Sequence, residues 1–341
     1  MNQTVLVTGA SGFIAQHIVK QLVKEGYKVV GTVRSAAKGD RLKKNVDGLG
    51  GSFEYELVPD ISKANAFDAV FDKHQNLDVV LHTASPFFYD TEDPEHDLVI
   101  PAIRGTESVF EAISKQIRNG NESVQRVVIT SSDAALYSAE GEQTTGLKFD
   151  ESSWNTITYE EAIKDPISAY YGAKTFAERT AWKYAKMDPF PETTAINPVY
   201  VFGPQAFDNE AEGKLNTSNE MIRGLLKLKE GDDWSNDTGG FIDVRDVARA
   251  HLLAFQKDET AGKRLYMTNG NFSVQMMLDA IHKNFPGLAI PKGKPGNGPQ
   301  DVAHMAEKRN GRSRDLLQFD FVPFEKVIVD TVKQIQDNSR I

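Results

Sequence analysis

Thr4-Val5-Leu6-Val7-Thr8-Gly9-Ala10-Ser11-Gly12-Phe13-Ile14-Ala15 decides the architecture. Thr4–Thr8 is a short β-rich run that meets Gly9 and Gly12. Apolar residues then recur at Phe13, Ile14, Ile18, Val19, Leu22 and Val23, the spacing of one helix face. Gly26 falls where a C-capping glycine belongs, and Lys28–Val33 reads as a second strand. Strand, glycine turn, helix and strand make a βαβ unit, whose crossover is right-handed.

Outward from this unit the alternation continues. Strands are expected at 53–58, 77–83, 124–130 and 193–198, and helices at 64–73, 96–116 and 168–187. Near-continuous apolar strands separated by helices predict an α/β fold with a doubly wound parallel sheet of the Rossmann type. Beyond about residue 199 the pattern loosens. Stretches 231–240 and 286–299 are rich in glycine or proline and read as loops, with a helix expected at 244–256. The expected division is 1–198 plus about 241–268 as a nucleotide-binding domain, with about 199–240 and 269–341 as a smaller, non-contiguous substrate lobe.

Composition narrows the function classes. The chain has 341 residues, 40 % hydrophobic and 26 % charged, which suits a globular protein rather than a disordered or fibrous one. A net charge of −9 argues against a nucleic-acid partner. No apolar run reaches membrane-spanning length and no secretory leader pattern is visible, so a cytoplasmic protein without membrane contact is expected. With no cysteine there is no disulfide, cysteine nucleophile or thiolate metal site. The seven histidines show no metal-ligand spacing, and no metal is expected.

Gly9, Gly12 and Ala15 give a G-x-x-G-x-x-A turn that opens an amphipathic helix. Glycines there let a pyrophosphate approach the backbone and the helix N-terminus. The second strand ends in Arg34, with Lys38 four residues on and no carboxylate before Asp40. A carboxylate would favour a ribose 2′-hydroxyl, whereas a guanidinium grips a 2′-phosphate, so NADPH/NADP⁺ is expected over NAD.

Tyr170 and Lys174 stand four apart in a helix and share one face, while Tyr171 is followed at that spacing by Thr175. Reducing a carbonyl by hydride leaves an oxygen that needs a proton, and a free phenol with a pKa near 10 is a poor donor at pH 7. An ammonium about 4 Å away at an effective dielectric near 20 favours the phenolate by roughly 4 kcal/mol, about 3 pKa units. The strand at 126–130 ends in Ser131-Ser132-Asp133, at the edge where ligands lie in parallel sheets. Either serine could orient a carbonyl, and the spacing does not choose between them. No Gly-x-Ser-x-Gly elbow surrounds them, which disfavours a hydrolase.

With these motifs in chain order the sequence resembles the extended short-chain dehydrogenase/reductase superfamily. Within it, the chain looks like the yeast methylglyoxal/isovaleraldehyde reductases and their plant dihydroflavonol reductase relatives. The markers are residues 8–15, Pro59-Asp60-Ile61-Ser62, His82-Thr83-Ala84-Ser85-Pro86, Asn197-Pro198-Val199-Tyr200-Val201-Phe202-Gly203-Pro204 and Phe241-Ile242-Asp243-Val244-Arg245-Asp246-Val247-Ala248. The resemblance implies an NADPH-dependent aldehyde, ketone or diketone reductase with Ser132, Tyr170 and Lys174 as catalytic residues. It implies cofactor contacts at Gly9, Ala10, Ser11, Gly12, Phe13, Ile14, Arg34, Lys38, Asp60, Ile61, Thr83, Ala84, Ser85, Tyr170, Lys174, Pro198, Val201 and Ser218. Substrate contacts are expected from Phe87, Phe88, Ser132, Tyr170 and Val201. Asp133 departs from close relatives, which can carry a neutral residue beside the serine. The expected partner is a small-molecule carbonyl compound, and the expected state a monomer or homodimer. Competing readings are an NAD-dependent nucleotide-sugar epimerase/dehydratase of the same fold and a catalytically silent NADP-sensing regulator.

Overall fold

The structure, a computed structural model, describes residues 3–85 and 91–338. Among the described residues twelve strands run in chain order: β1 (Thr4–Thr8), β2 (Lys28–Val33), β3 (Ser52–Leu57), β4 (Val79–His82), β5 (Arg126–Thr130), β6 (Lys148–Phe149), β7 (Glu192–Pro198), β8 (Tyr200–Phe202), β9 (Thr238–Asp243), β10 (Arg264–Met267), β11 (Asn271–Ser273) and β12 (Glu307–Lys308). Seven of them form one parallel sheet in the order β3-β2-β1-β4-β5-β7-β10. The order reverses between β1 and β4, so a crevice opens there at the carboxyl ends of the strands, where open α/β sheets hold ligands. This is the doubly wound architecture that the alternation predicts.

Helices cover both faces. They are α1 (Phe13–Lys24), α2 (Ala36–Val46), α3 (Asp68–Lys73), α4 (Ile100–Arg118), α5 (Ala139–Glu142), α6 (Tyr159–Ala162), α7 (Pro166–Ala185), α8 (Thr217–Lys227), α9 (Val244–Gln256), α10 (Val274–Asn284), α11 (Gly298–Asp301), α12 (Gly311–Leu317) and α13 (Phe324–Asn338). On one face Val5, Val7, Ile18, Leu22, Val29, Leu81, Val247 and Leu252 pack together, so α1 and α9 lie side by side under the sheet. On the other, Leu6, Val30, Val80, Phe110, Ile113 and Val127 bury α4 against it. At about 25 cal/mol per Å², burying each of these large side chains contributes roughly 1.5–3 kcal/mol before the entropy cost.

A third core, with Phe202, Ile222, Phe272, Leu278, Ile281, Val327 and Val332, holds α8, α10 and α13 around a small sheet of order β11-β9-β8. Leu317 and Phe321 pack with the large-sheet core and Phe241 with this smaller one, so the chain crosses between the two several times.

Several element limits differ from expectation for local reasons. The helix expected over 64–73 begins at Asp68, because Asn65 takes a positive φ of 61° within a turn. The helix expected over 96–116 opens with a π-turn at Glu95–Val99 and becomes α4 at Ile100. Pro101 has no N–H to continue an α-helical ladder from that turn. The long helix α7 starts two residues early, at Pro166, because the Asp165 carboxylate accepts the Ile167 and Ser168 N–H groups at 2.9 Å. The helix α2 is absent from the sequence-based reading. Only Gly39, Leu42 and Val46 of it are buried, a stripe too thin to stand out between lysines.

Candidate active site

The glycine turn is stitched to the end of β4. Thr8 Oγ1 accepts the Thr83 and Ala84 N–H groups at 3.1 Å each, and it lies 2.9 Å from His82 Nδ1. With both lone pairs taken, the hydroxyl proton is left for Nδ1, which fixes the other ring nitrogen as the protonated one. Gly9 has φ of 66°, and a Cβ there would lie 3.0 Å from both Cα and Cβ of Ala84. The position thus needs glycine for both its backbone and its neighbour. Gly12 is the N-cap of α1 and has no side chain to cover the first-turn amides, while Gly12 N–H donates to Gly9 O at 2.9 Å. Ala10, Ser11, Phe13 and Ile14 complete the turn, with Ala10 N–H bonded to Thr32 O at 2.9 Å. An uncovered helix N-terminus beside a glycine turn fits a pyrophosphate.

The basic pair fits a 2′-phosphate. Arg34 directly follows β2 and Lys38 lies in the first turn of α2. Both are exposed, and neither makes a salt bridge among the described residues. Asp60 lies across from them, its carboxyl held below the usual range first by the Ser62 hydroxyl and N–H, with Lys63 and Arg34 adding to it. Ile61 is half-buried and packs where a Cβ on Gly105 would come within 2.8 Å of its Cδ1. Further along the crevice, Pro198 closes β7 and Val201 lies on β8. The Ser218 hydroxyl, in the first turn of α8, donates to Val201 O at 2.5 Å and accepts from Asn216 Nδ2 at 2.7 Å, so these two expected residues are tied together. Ser85 is at the edge of the described residues, and Phe87 and Phe88 lie outside them.

Geometry separates the two serines. Ser131 Oγ turns inward and donates to Glu178 Oε2 at 2.5 Å. Ser132 Oγ turns to the crevice and stands 3.0 Å from Tyr170 Oη. Its main chain is pinned by Asn197 Nδ2, which donates to Ser132 O at 3.0 Å and to Glu178 Oε2 at 2.7 Å. Glu178, fully buried, also receives Arg264 Nε at 2.6 Å and Trp182 Nε1 at 2.9 Å. Glu178 is one turn beyond Lys174 on α7 and was missed in the sequence, although its spacing of four from Lys174 and eight from Tyr170 puts all three on one face.

Burial sets the protonation of the groups around this pair. Burial pushes Tyr171 far above the ordinary phenol range, so it stays neutral. Burial also lowers Lys174 to about 8, which leaves it mainly an ammonium at pH 7. His82 is lowered to about 3, chiefly by burial and then by Lys174, so a neutral imidazole accompanies that ammonium. Beside the serine, Asp133 Oδ1 accepts Ser132 Oγ at 2.9 Å, and Oδ2 accepts the Tyr137 hydroxyl at 2.7 Å. Tyr137 was also missed. It lies four residues after Asp133, but only the folded turn shows that the two meet.

No helix among the described residues is long and apolar enough to cross a membrane. No group of three or more acidic or histidine side chains among them could hold a metal ion.

Comparison with known proteins gives the family and the fold. Residues 5–267 match the family model described as "NAD dependent epimerase/dehydratase family". The chain is 46 % identical to the NADPH-dependent methylglyoxal reductase GRE2 of Saccharomyces cerevisiae, over 97 % of this chain and 98 % of that one. It is 34 % identical to the ketoreductase azaE of Aspergillus niger, over 98 % of each. Among solved structures, yeast methylglyoxal/isovaleraldehyde reductase Gre2 complexed with NADPH superposes with a TM-score of 0.92 at 45 % identity, covering 98 % of both chains. A UDP-glucose 4-epimerase from Thermotoga maritima, at 20 % identity and a TM-score of 0.72, shares the fold. The glycine turn at the switch point and the coverage of these matches give one conclusion: the chain belongs to the NAD dependent epimerase/dehydratase family, among the extended short-chain dehydrogenases/reductases.

Proposed function

We propose that this protein is an NADPH-dependent carbonyl reductase acting on aldehydes, ketones or diketones of the methylglyoxal and 3-methylbutanal kind. The observation that carries the reading is the 3.0 Å contact between Ser132 and Tyr170 across the crevice from the glycine turn. The names of the similar proteins, a methylglyoxal reductase and a ketoreductase, support it. NADPH supplies the hydride when bound. Gly9 to Ile14 hold its pyrophosphate, Arg34 and Lys38 its 2′-phosphate, and Asp60, Ile61, Thr83, Ala84, Ser85, Pro198, Val201 and Ser218 its remaining length. Ser132 donates a hydrogen bond to the carbonyl oxygen and aims it. Tyr170 gives that oxygen its proton, and the Lys174 ammonium favours the phenolate left behind. Phe87, Phe88 and Val201 form the apolar side of the pocket, between residues 1–198 with about 241–268 and the lobe of about 199–240 and 269–341. The protein works in the cytoplasm as a monomer or homodimer.

The test is to follow the reduced-cofactor absorbance with NADPH and with NADH against a carbonyl panel that includes methylglyoxal and 3-methylbutanal. Turnover with a clear NADPH preference is expected, and none across the panel would overturn the reading. The epimerase alternative is disfavoured by the exposed Arg34 and the lack of a carboxylate at the end of β2. Purified protein already saturated with NAD⁺ would favour it instead.

A further inference from the structure

The Ser132 hydroxyl has one proton, and its surroundings decide where that proton points. Its oxygen accepts the Ala134 N–H at 3.2 Å, stands 3.0 Å from Tyr170 Oη, and donates to Asp133 Oδ1 at 2.9 Å. An ionised Asp133 can only accept. It therefore captures the serine proton, and Ser132 has nothing left to offer a carbonyl oxygen. The tyrosine proton is then drawn toward the serine oxygen as well. A protonated Asp133 reverses this. Oδ2 already accepts from Tyr137 at 2.7 Å, so the acid proton sits on Oδ1 and donates to Ser132 Oγ. The serine proton then turns out into the crevice.

We propose that Asp133 is a positioning residue that steers the Ser132 hydroxyl, the acid form releasing its proton toward the carbonyl substrate and the carboxylate form withdrawing it. This inference rests on the reductase reading above and adds a control to it.

The neighbours make such a switch accessible. Facing Asp133 are Tyr137 and Glu142 from its own segment and α5, Lys308 from β12, Tyr266 from β10 and Tyr171 from α7, while Tyr170 meets the adjacent Ser132. Glu142 and Lys308 pair at 3.1 Å with both side chains almost wholly buried, so their charges largely offset one another. Tyr137 Oη is 3.1 Å from Tyr266 Oη, and both phenols are held far above their usual range by burial first. Burial, and then Glu142, push the Asp133 carboxyl up to about 6, against the hydrogen bonds from Tyr137 and Ser132 and the charge of Lys308.

The experiment is the pH profile of kcat/KM for 3-methylbutanal reduction with NADPH between pH 5 and 9. In the wild type a descending limb is expected near pH 6, with a fall of about tenfold, the size of one hydrogen bond lost from the substrate oxygen. Asp133→Asn keeps a donor toward Ser132 at every pH, so this limb should vanish. Tyr137→Phe removes a donor that favours the carboxylate, so the limb should move to higher pH. If Asp133→Asn does not fold, Tyr137→Phe decides the matter by itself. A limb that persists in Asp133→Asn, or that stays in place in Tyr137→Phe, overturns the role of Asp133 while the reductase reading stands. No NADPH-dependent turnover by the wild type at any pH overturns both.

Discussion

At the cofactor end of the crevice, the turn from Thr8 to Ile14 works through its backbone, with a positive φ at Gly9 and uncapped amides above Gly12, and it is braced by bonds to Thr32, Thr83 and Ala84. At the substrate end, Ser132, Tyr170 and Lys174 come from two distant segments and are held by side chains. Glu178 lies 47 residues from Ser131, Asn197 lies 65 from Ser132 and Arg264 lies 86 from Glu178, and these contacts fix which serine faces out. The first end is set by backbone conformation and by bonds to the adjacent strand ends. The second depends on a buried polar network, in which removing one partner leaves the other to carry its desolvation cost.

This contrast can be broken at its strongest point. Glu178→Ala leaves Arg264 buried without its charge partner and should cost about 3–5 kcal/mol of stability, read from the urea midpoint. A cost below about 1 kcal/mol would mean that the substrate end is no more dependent on its network than the turn is. Next in size, Tyr170→Phe should lower kcat by about 10²-fold or more while NADPH affinity, measured by fluorescence titration, stays near wild type. A near wild-type rate would remove Tyr170 from the proton step. At the other end, Arg34→Ala should weaken NADPH binding about tenfold, the worth of one charge-assisted hydrogen bond, with NADH binding unchanged. Equal losses for the two cofactors would detach Arg34 from the 2′-phosphate.

The smallest effect concerns pH. His17, His82 and His251 are lowered to about 4, 3 and 4, in each case by burial first. They stay neutral when folded and take protons when unfolded, so between about pH 6.5 and 4 they make stability fall as pH drops. Asp246 is raised to about 7, chiefly by burial, and has the opposite sign. The folded state holds its proton where the unfolded chain does not, so it makes stability fall as pH rises between about 4 and 7. Asp246→Asn removes that opposing slope. Its urea midpoint should therefore fall more steeply on acidification than that of the wild type, and an unchanged slope would contradict the shift.

How much of this was legible in the chain follows the same division. The first βαβ unit and α9 match the sequence reading almost residue for residue, because both are set by strong apolar periodicity and by residues at their own ends, such as Asp243, whose carboxylate caps α9 at Arg245 N–H. The Tyr170/Lys174 pair was legible because helical spacing alone puts both on one face. The helix α2 was not, since its few buried residues are scattered among charges. The π-turn before Pro101 and the late start of α3 depend on a missing donor and a left-handed turn residue, which periodicity does not register.

The amino-acid order by itself determined the doubly wound sheet, the glycine turn, the basic end of β2 and the helical pair at 170 and 174. Each of these follows from interactions within a few residues: φ freedom, capping, and the periods of strand and helix. Tertiary structure alone decided that Ser131 faces Glu178 while Ser132 faces Tyr170, and that Asp133 meets Tyr137 within a buried group of charges. Those choices turn on where a hydrogen bond finds its partner. In a dry interior that partner is whichever polar group the fold delivers, however far away it lies along the chain.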